Sequence, residues 1–249
     1  MAKLEANLAA ALQGQGFGTR KECAGLIRAG LVEVGREEGG ALAWRKPESP
    51  AEEIPLEGTR FRVNGLELPW MEKAYVALHK PAGTECSHAP SHHRSVFSLL
   101  PQPLVRRGLQ AVGRLDADTT GLLLLTDSGP FNHFLTSPRR HVPKTYCVTA
   151  KHPIAADQVE RLAAGVDLRN EDEPTLPAKV ALTGERECEV TIMEGRYHQV
   201  KRMFAAVGNR VEGIHRIAIG GLVLREDLGP GQWVLLGRGE LDLLGYREP

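Results

Sequence analysis

Four cysteines, at positions 23, 86, 147 and 188, are all the sulfhydryl chemistry this 249-residue chain carries. None lies within four residues of another, so no zinc ribbon or redox pair is spelled out, and reduced, partly buried thiols are expected. Aromatic residues make up only 5%. That scarcity argues against a carbohydrate-binding surface, which exposes several Trp or Tyr platforms. No apolar run approaches the ~18 residues that a membrane-spanning helix needs. The N-terminal run Met1–Asn7 has too short an apolar core for a secretory signal, so a cytoplasmic location is expected. There is no internal repeat. There is also no net charge, with 31 Lys and Arg against 31 Asp and Glu. Nucleic-acid binders usually carry a basic excess.

What is present begins with how that charge is arranged. Residues 19–36 hold four basic side chains and two acidic ones; residues 194–216 hold five and two. Residues 157–189 reverse the balance, with nine acidic and four basic. Sorting of this kind allows a basic face and an acidic back, although a charge run also serves as an ordinary solvated surface. Hydrophobic content of 42% and charged content of 25% are those of a globular protein. The length accommodates one large domain, or a small one and a medium one.

Local signals favour the second arrangement. Thr19-Arg20-Lys21-Glu22 is a capping box opening a helix that ends at Gly30. Leu4, Leu8 and Leu12 suggest a preceding helix, and Leu31–Val34 a short strand. The expected organisation is a small α/β unit over residues 1–68, a linker over 69–73 and a second domain over 74–249. In the second domain, strands are expected at Ala74–Lys80, Lys144–Thr149, Glu187–Met193, Val211–Ile219 and Gln232–Leu236. Helices are expected at Phe131–Leu135, Pro153–Ala164 and Tyr197–Val207. Strands outnumber helices and do not alternate with them, which predicts an α+β fold with a mixed or antiparallel sheet. His88, His92 and His93 lack an acidic or cysteine partner at ligand spacing, so no metal site is expected there.

The stretch richest in chemistry is Gly113-Arg114-Leu115-Asp116-Ala117-Asp118-Thr119-Thr120-Gly121, followed by Leu122–Leu125 and Thr126. The apolar run reads as a buried strand. Short polar residues at its mouth are costly unless they are paired, so the stretch reads as a site rather than a turn. Asp116 and Asp118 are two apart and on an extended segment would point to one side. Paired carboxylates suit a glycosidase. Attack at a C–N glycosidic bond, as in a base-modifying enzyme, suits them equally, and such a pocket needs one stacking partner and cations. A second cluster, Glu194-Gly195-Arg196-Tyr197-His198-Gln199-Val200-Lys201-Arg202, places Tyr197 with Lys201 and His198 with Arg202 on common helix faces.

Together these segments resemble the pseudouridine synthases that carry an N-terminal S4 domain, the RsuA-type small-subunit rRNA enzymes and their large-subunit relatives. Gly113–Thr126 resembles the segment around that family's catalytic aspartate, and Lys144-Thr145-Tyr146 the strand whose tyrosine stacks on uracil. Glu194–Phe204 resembles the segment supplying a basic partner to the aspartate. Ile219-Gly220-Gly221-Leu222 resembles the one supplying an aliphatic pocket residue, and Lys80-Pro81-Ala82-Gly83 a structural motif.

The resemblance implies an S4-like RNA-binding domain, with Arg20, Lys21 and Arg28 facing phosphates. It implies isomerisation of uridine to pseudouridine in ribosomal RNA by a monomer that needs no cofactor and no metal. Asp116 would be catalytic, Tyr146 would stack on the base, and Lys201 would pair with Asp116, with Arg202 as the alternative partner. Arg114, Asp118, Thr119, Arg202 and Leu222 would bind the flipped nucleotide. The wording of the 197–204 segment favours the small-subunit type and uridine 516 of 16S rRNA, free or within an assembling subunit. A 23S rRNA enzyme of the same branch, a non-catalytic S4-type RNA-binding protein and a glycosidase are the other readings.

Overall fold

The structure is a computed structural model describing residues 4–248; Met1–Lys3 of the N-terminal run and Pro249 lie outside the described residues. The chain forms two compact units, residues 4–74 with Leu100–Leu109, and Tyr75–Leu99 with Gln110 onward.

The first unit begins with β1 (Glu5–Asn7), α1 (Leu8–Gly14) and α2 (Arg20–Arg28). The helix expected from Leu4 starts only at Leu8. Asn7 caps it through a bond from the Ala10 N–H, and the residues before it pair with Glu53–Pro55 as a strand. Leu4 is correspondingly exposed. The capping box of α2 forms as read, with Thr19 and Glu22 each accepting from the other's backbone N–H. Four antiparallel strands follow: β2 (Val32–Glu38), β3 (Ala41–Arg45), β5 (Arg60–Val63) and β6 (Leu66–Pro69), in the order 3-2-5-6, with β4 (Glu53–Pro55) on β1. The segment read as a linker is bonded within this unit. Gln15 exchanges two hydrogen bonds with the Met71 backbone, and Arg107 donates to Met71 and Glu72 carbonyls. Arg107 follows α3 (Gln102–Arg106), so residues 100–109, which the sequence assigns to the second domain, pack with the first unit.

The second unit is built on one mixed sheet. Its elements are β7 (Tyr75–Lys80), the parallel pair β8 (Thr84–Glu85) and β9 (Arg94–Ser95), β10 (Gln110–Ala111), β11 (Thr120–Thr126), α4 (Gly129–Thr136), β12 (Lys144–Ala150), α5 (Ala156–Ala164), β13 (Lys179–Leu182), β14 (Glu187–Ile192), α6 (Gln199–Ala206), β15 (Val211–Ile219), β16 (Leu222–Val223), β17 (Trp233–Leu235) and α7 (Arg238–Leu243). The strand order is 13-14-12-15-11-7-17, with β10 on β11 and β16 on β15. Every pairing in this sheet is antiparallel among the described residues except β11 with β15. The fold is α+β, as the strand-rich pattern predicts.

The four leucines of β11 are all buried, so both faces of that strand are covered and alternation is lost. Leu122 and Leu124 pack with Tyr75, Phe131, Ile219, Leu241 and Tyr246 in one core. α5 begins three residues later than read. α6 begins two residues later, at Gln199, because His198 adopts a left-handed backbone (φ 49°) that no helix can include.

Candidate active site

The loop ahead of β11 is pinned from below by a buried cation. Lys80, at the end of β7, is fully buried, and its Nζ donates to the carbonyls of Thr119 (2.8 Å), Pro81 (3.2 Å) and Ala117 (3.3 Å). Burial pushes its pKa down, with the Cys86 thiol and the two aspartates opposing. The loop is closed further by Gly83 N–H on Ala117 O (2.8 Å) and Thr119 N–H on Asp116 O (3.1 Å). Lys80 therefore fixes the backbone that presents Asp116, a role the sequence hides because a lysine is rarely placed in a core.

From that loop Asp116 meets an ammonium and an imidazole. Lys201 Nζ lies 2.9 Å from one carboxylate oxygen and His198 Nε2 lies 3.2 Å from the other. Lys201 also reaches both oxygens of Asp118, at 2.7 and 3.0 Å. Burial works against the Lys201 charge, but its bonds to Asp118 and Asp116 outweigh that and raise its pKa. The Lys201 bond in turn holds the Asp118 carboxyl below the usual carboxylate range, against a smaller effect of burial.

Arg202, the alternative partner, turns away. It donates to Glu171, to the Arg169 carbonyl and to the Tyr197 carbonyl. Arg196 likewise binds Glu194 and the Glu173 and Pro174 carbonyls. Two cations of the basic run thus neutralise the acidic stretch rather than form a free basic face. The late start of α6 also separates the expected helix-face pairs: Tyr197 and His198 precede the helix, their rings stacked 3.8 Å apart.

These groups border a cavity of about 530 Å³, within the range of small-ligand sites. Arg114, Asp116, Thr119, Tyr146 and Lys201 all line it. Asp118, expected to bind the nucleotide, is 71% exposed and does not line the cavity. Leu222 does not line it; that side chain belongs to the core, and the aliphatic wall is made by Ile192, Ile214 and Ile219 instead. Arg216 and Lys144, neither expected from sequence, also line it. Burial, reinforced by nearby Arg216, lowers the Lys144 pKa to about 8. Tyr146 is largely buried and pairs across the sheet with Arg216, whose guanidinium carbon lies 6.0 Å from its ring.

Gly121 explains the glycine that ends the loop. It faces Arg216 in the parallel β11–β15 pairing, at φ +106°. A Cβ there would lie 2.2 Å from the Arg216 carbonyl oxygen. Only glycine lets the two strands close over the site.

Arg20, Lys21 and Arg28 stand exposed along α2 of the first unit. The histidine loop is ordered by Glu85, which accepts 2.9 Å bonds from the backbone N–H groups of Ser91, His92 and His93, while His88 stacks on Phe97. No cluster of three His, Cys, Asp or Glu side chains suited to a metal occurs among the described residues.

The site thus gathers a carboxylate, an ammonium, an imidazole and the Tyr146 ring around one cavity on a mixed sheet. Residues 74–206 match the RNA pseudouridylate synthase family, and the chain belongs to it. The ribosomal small subunit pseudouridine synthase A of Vibrio parahaemolyticus is 43% identical over 226 residues, covering 90% of this chain and 93% of its own. The protein of that name from Escherichia coli is 50% identical over 159 residues, or 64% of this chain and 68% of its own. A crystal structure of a pseudouridylate synthase superposes with a TM-score of 0.67 at 38% identity, covering 95% of this chain and 98% of that one. The chain is thus an RNA pseudouridine synthase, an isomerase.

Proposed function

We propose that this enzyme converts a uridine of small-subunit ribosomal RNA, uridine 516 of 16S rRNA, to pseudouridine, with Asp116 as the catalytic group. The observation that carries the reading is the Asp116 carboxylate at the cavity wall, with Lys201 at 2.9 Å and Tyr146 lining the same space. The small-subunit assignment is supported by the relatives' names and their 40–50% identity. The target nucleotide is flipped out of its RNA helix, at a cost of a few kcal/mol that stacking on Tyr146 offsets. Asp116 then assists cleavage of the N1–C1′ bond, and the uracil rotates and rejoins through C5. The first unit is an S4-like module that holds RNA phosphates with Arg20, Lys21 and Arg28. The enzyme acts in the cytoplasm as a monomer, on rRNA free or within an assembling subunit.

The glycosidase reading is not favoured: the chain belongs to the RNA pseudouridylate synthase family, and one ammonium bridges both carboxylates.

The test is pseudouridine mapping of 16S and 23S rRNA from cells with and without the gene, complemented by wild type or Asp116→Asn. Loss of the modification at 516, restored only by wild type, is expected. Loss at a 23S position redirects the target to the large subunit. Full rescue by Asp116→Asn removes Asp116 from the chemistry.

A further inference from the structure

Arg216 is a buried cation whose charge nothing in its surroundings matches. It stands mid-strand in β15 and is 2% exposed. Its Nε donates 2.7 Å to the Leu122 carbonyl. Its Nη2 is buried with no hydrogen-bond partner among the described residues. Arginine is almost never this deeply buried unless paired. Taking a guanidinium out of water costs several kcal/mol, and an orphaned donor adds about 1–3 kcal/mol. A buried group kept at such a cost calls for a role other than stability. The nearby carboxylates do not supply it: Asp116 and Asp118 are engaged by Lys201 and His198. The Tyr146 ring, 6.0 Å from the guanidinium carbon, lines the cavity with it.

We propose that Arg216 stabilises the negative charge that uracil carries while it is detached from the ribose. This inference rests on the function proposed above. When the N1–C1′ bond breaks, its electron pair leaves with the base. That holds whether Asp116 bonds to C1′ or removes the C2′ proton. The free base is then an anion, its charge spread over N1, O2 and O4. On rejoining, C5 bonds to C1′, the C5 hydrogen leaves as a proton and N1 gains one. The charge therefore exists only between the two bond changes. A fixed, buried cation at the pocket wall lowers the barrier to such a transient charge without reorganising. In the resting enzyme Arg216 is underused, as a group matched to a short-lived species must be.

The experiment measures, in a single turnover at saturating enzyme, loss of the N1-linked target nucleoside for wild type, Arg216→Gln and Arg216→Lys, a readout of N1–C1′ cleavage that needs no departure of the C5 substituent. Two RNAs are used, one with uridine and one with 5-fluorouridine at the target position. Fluorine withdraws electrons and stabilises the departing anion by itself. Arg216→Gln is expected to slow N1–C1′ cleavage in uridine RNA about 100-fold, the usual scale for losing one charge-stabilising donor. Its RNA affinity should stay within about threefold, and the 100-fold penalty should shrink by about tenfold or more on 5-fluorouridine RNA. Arg216→Lys, which keeps the cation, should fall between. Equal penalties on both RNAs, a defect confined to RNA affinity, or an unchanged rate each overturn the proposal. Thermal melting is recorded for each variant. If Arg216→Gln does not fold, Arg216→Met, which also removes the cation, takes its place in the two-substrate comparison and is judged by the same criterion. A wild-type protein that forms no pseudouridine overturns the functional reading and this inference together. An active wild type with a fully active Arg216→Gln overturns this inference alone.

Discussion

Lys201 bridges Asp116 and Asp118, with its Nζ 2.9 Å from the first carboxylate and 2.7 Å from the second. One ammonium thus serves two acids of unequal exposure. Asp118 is 71% exposed, against 27% for Asp116. A solvated carboxylate gains little from an ion pair, whereas a half-buried one depends on it. Asp118→Asn is therefore expected to retain activity within about tenfold of wild type, whereas Asp116→Asn and Lys201→Met should each lose at least about 100-fold. Initial rates on a target-containing RNA fragment, with circular dichroism as the folding control, give the ranking. An Asp118→Asn variant as inactive as Asp116→Asn would exchange the roles of the two acids.

His198 holds the other oxygen of Asp116 from a left-handed backbone position, φ 49°. That conformation costs a non-glycine residue about 1 kcal/mol or more and is kept where geometry requires it. His198→Phe preserves the stack on Tyr197 and removes only the Nε2 contact with Asp116. Loss of that polar contact predicts a kcat about 10-fold lower with little change in KM. A raised KM with normal kcat would instead make His198 a substrate contact.

Gly121→Ala should be a folding mutation rather than a catalytic one. Its methyl would sit 2.2 Å from a backbone oxygen, at a positive φ that alanine disfavours. Destabilisation of about 4 kcal/mol or more, at the extreme of point substitutions, is expected. Urea denaturation checks it, and a variant within 1 kcal/mol of wild type in that experiment would contradict the close strand approach.

Lys144 gives the stability curve a definite sign. Its folded pKa is lowered to about 8 from 10.5, chiefly by burial. Between those values the unfolded chain binds the proton and the folded chain does not, so this group makes stability rise with pH across that window. Below the window the penalty for burying the charge is fully present. Lys144→Met should flatten that rise and leave the protein more stable than wild type at pH 7, measured by urea midpoints. A variant with an undiminished rise would show that Lys144 does not titrate there.

The parts of the site legible in the sequence were those written as contrast along the chain. A polar loop between glycines before four leucines located Asp116. Tyr146, on the strand at Lys144–Thr149, lines the cavity as read. What escaped depends on backbone angles and register. His198 looked like a helix residue because its positive φ leaves no mark in residue type. Arg202 looked interchangeable with Lys201 until the acidic segment that captures it was folded beside it. Leu222 and Ile219 were both aliphatic candidates, and only the short return into β16 turns Leu222 into the core. Lys80 was read as part of a turn because burial of its charge runs against the ordinary sorting of residues.

The parallel junction of β11 and β15 also bears on how the chain comes to be assembled. Thr120 and Gly121 meet His215 and Arg216 only after more than ninety further residues have been made. β7, in the interior of the sheet, waits longer still for β17 at Trp233–Leu235. During synthesis at roughly 5–20 residues per second, the apolar edges of β7 and β11 stay unpaired for several seconds. Such edges invite pairing with other chains. The loop that carries Asp116 is therefore without its parallel partner strand until Arg216 has been made, and a chain broken off before residue 233 is a candidate for aggregation rather than a shortened enzyme.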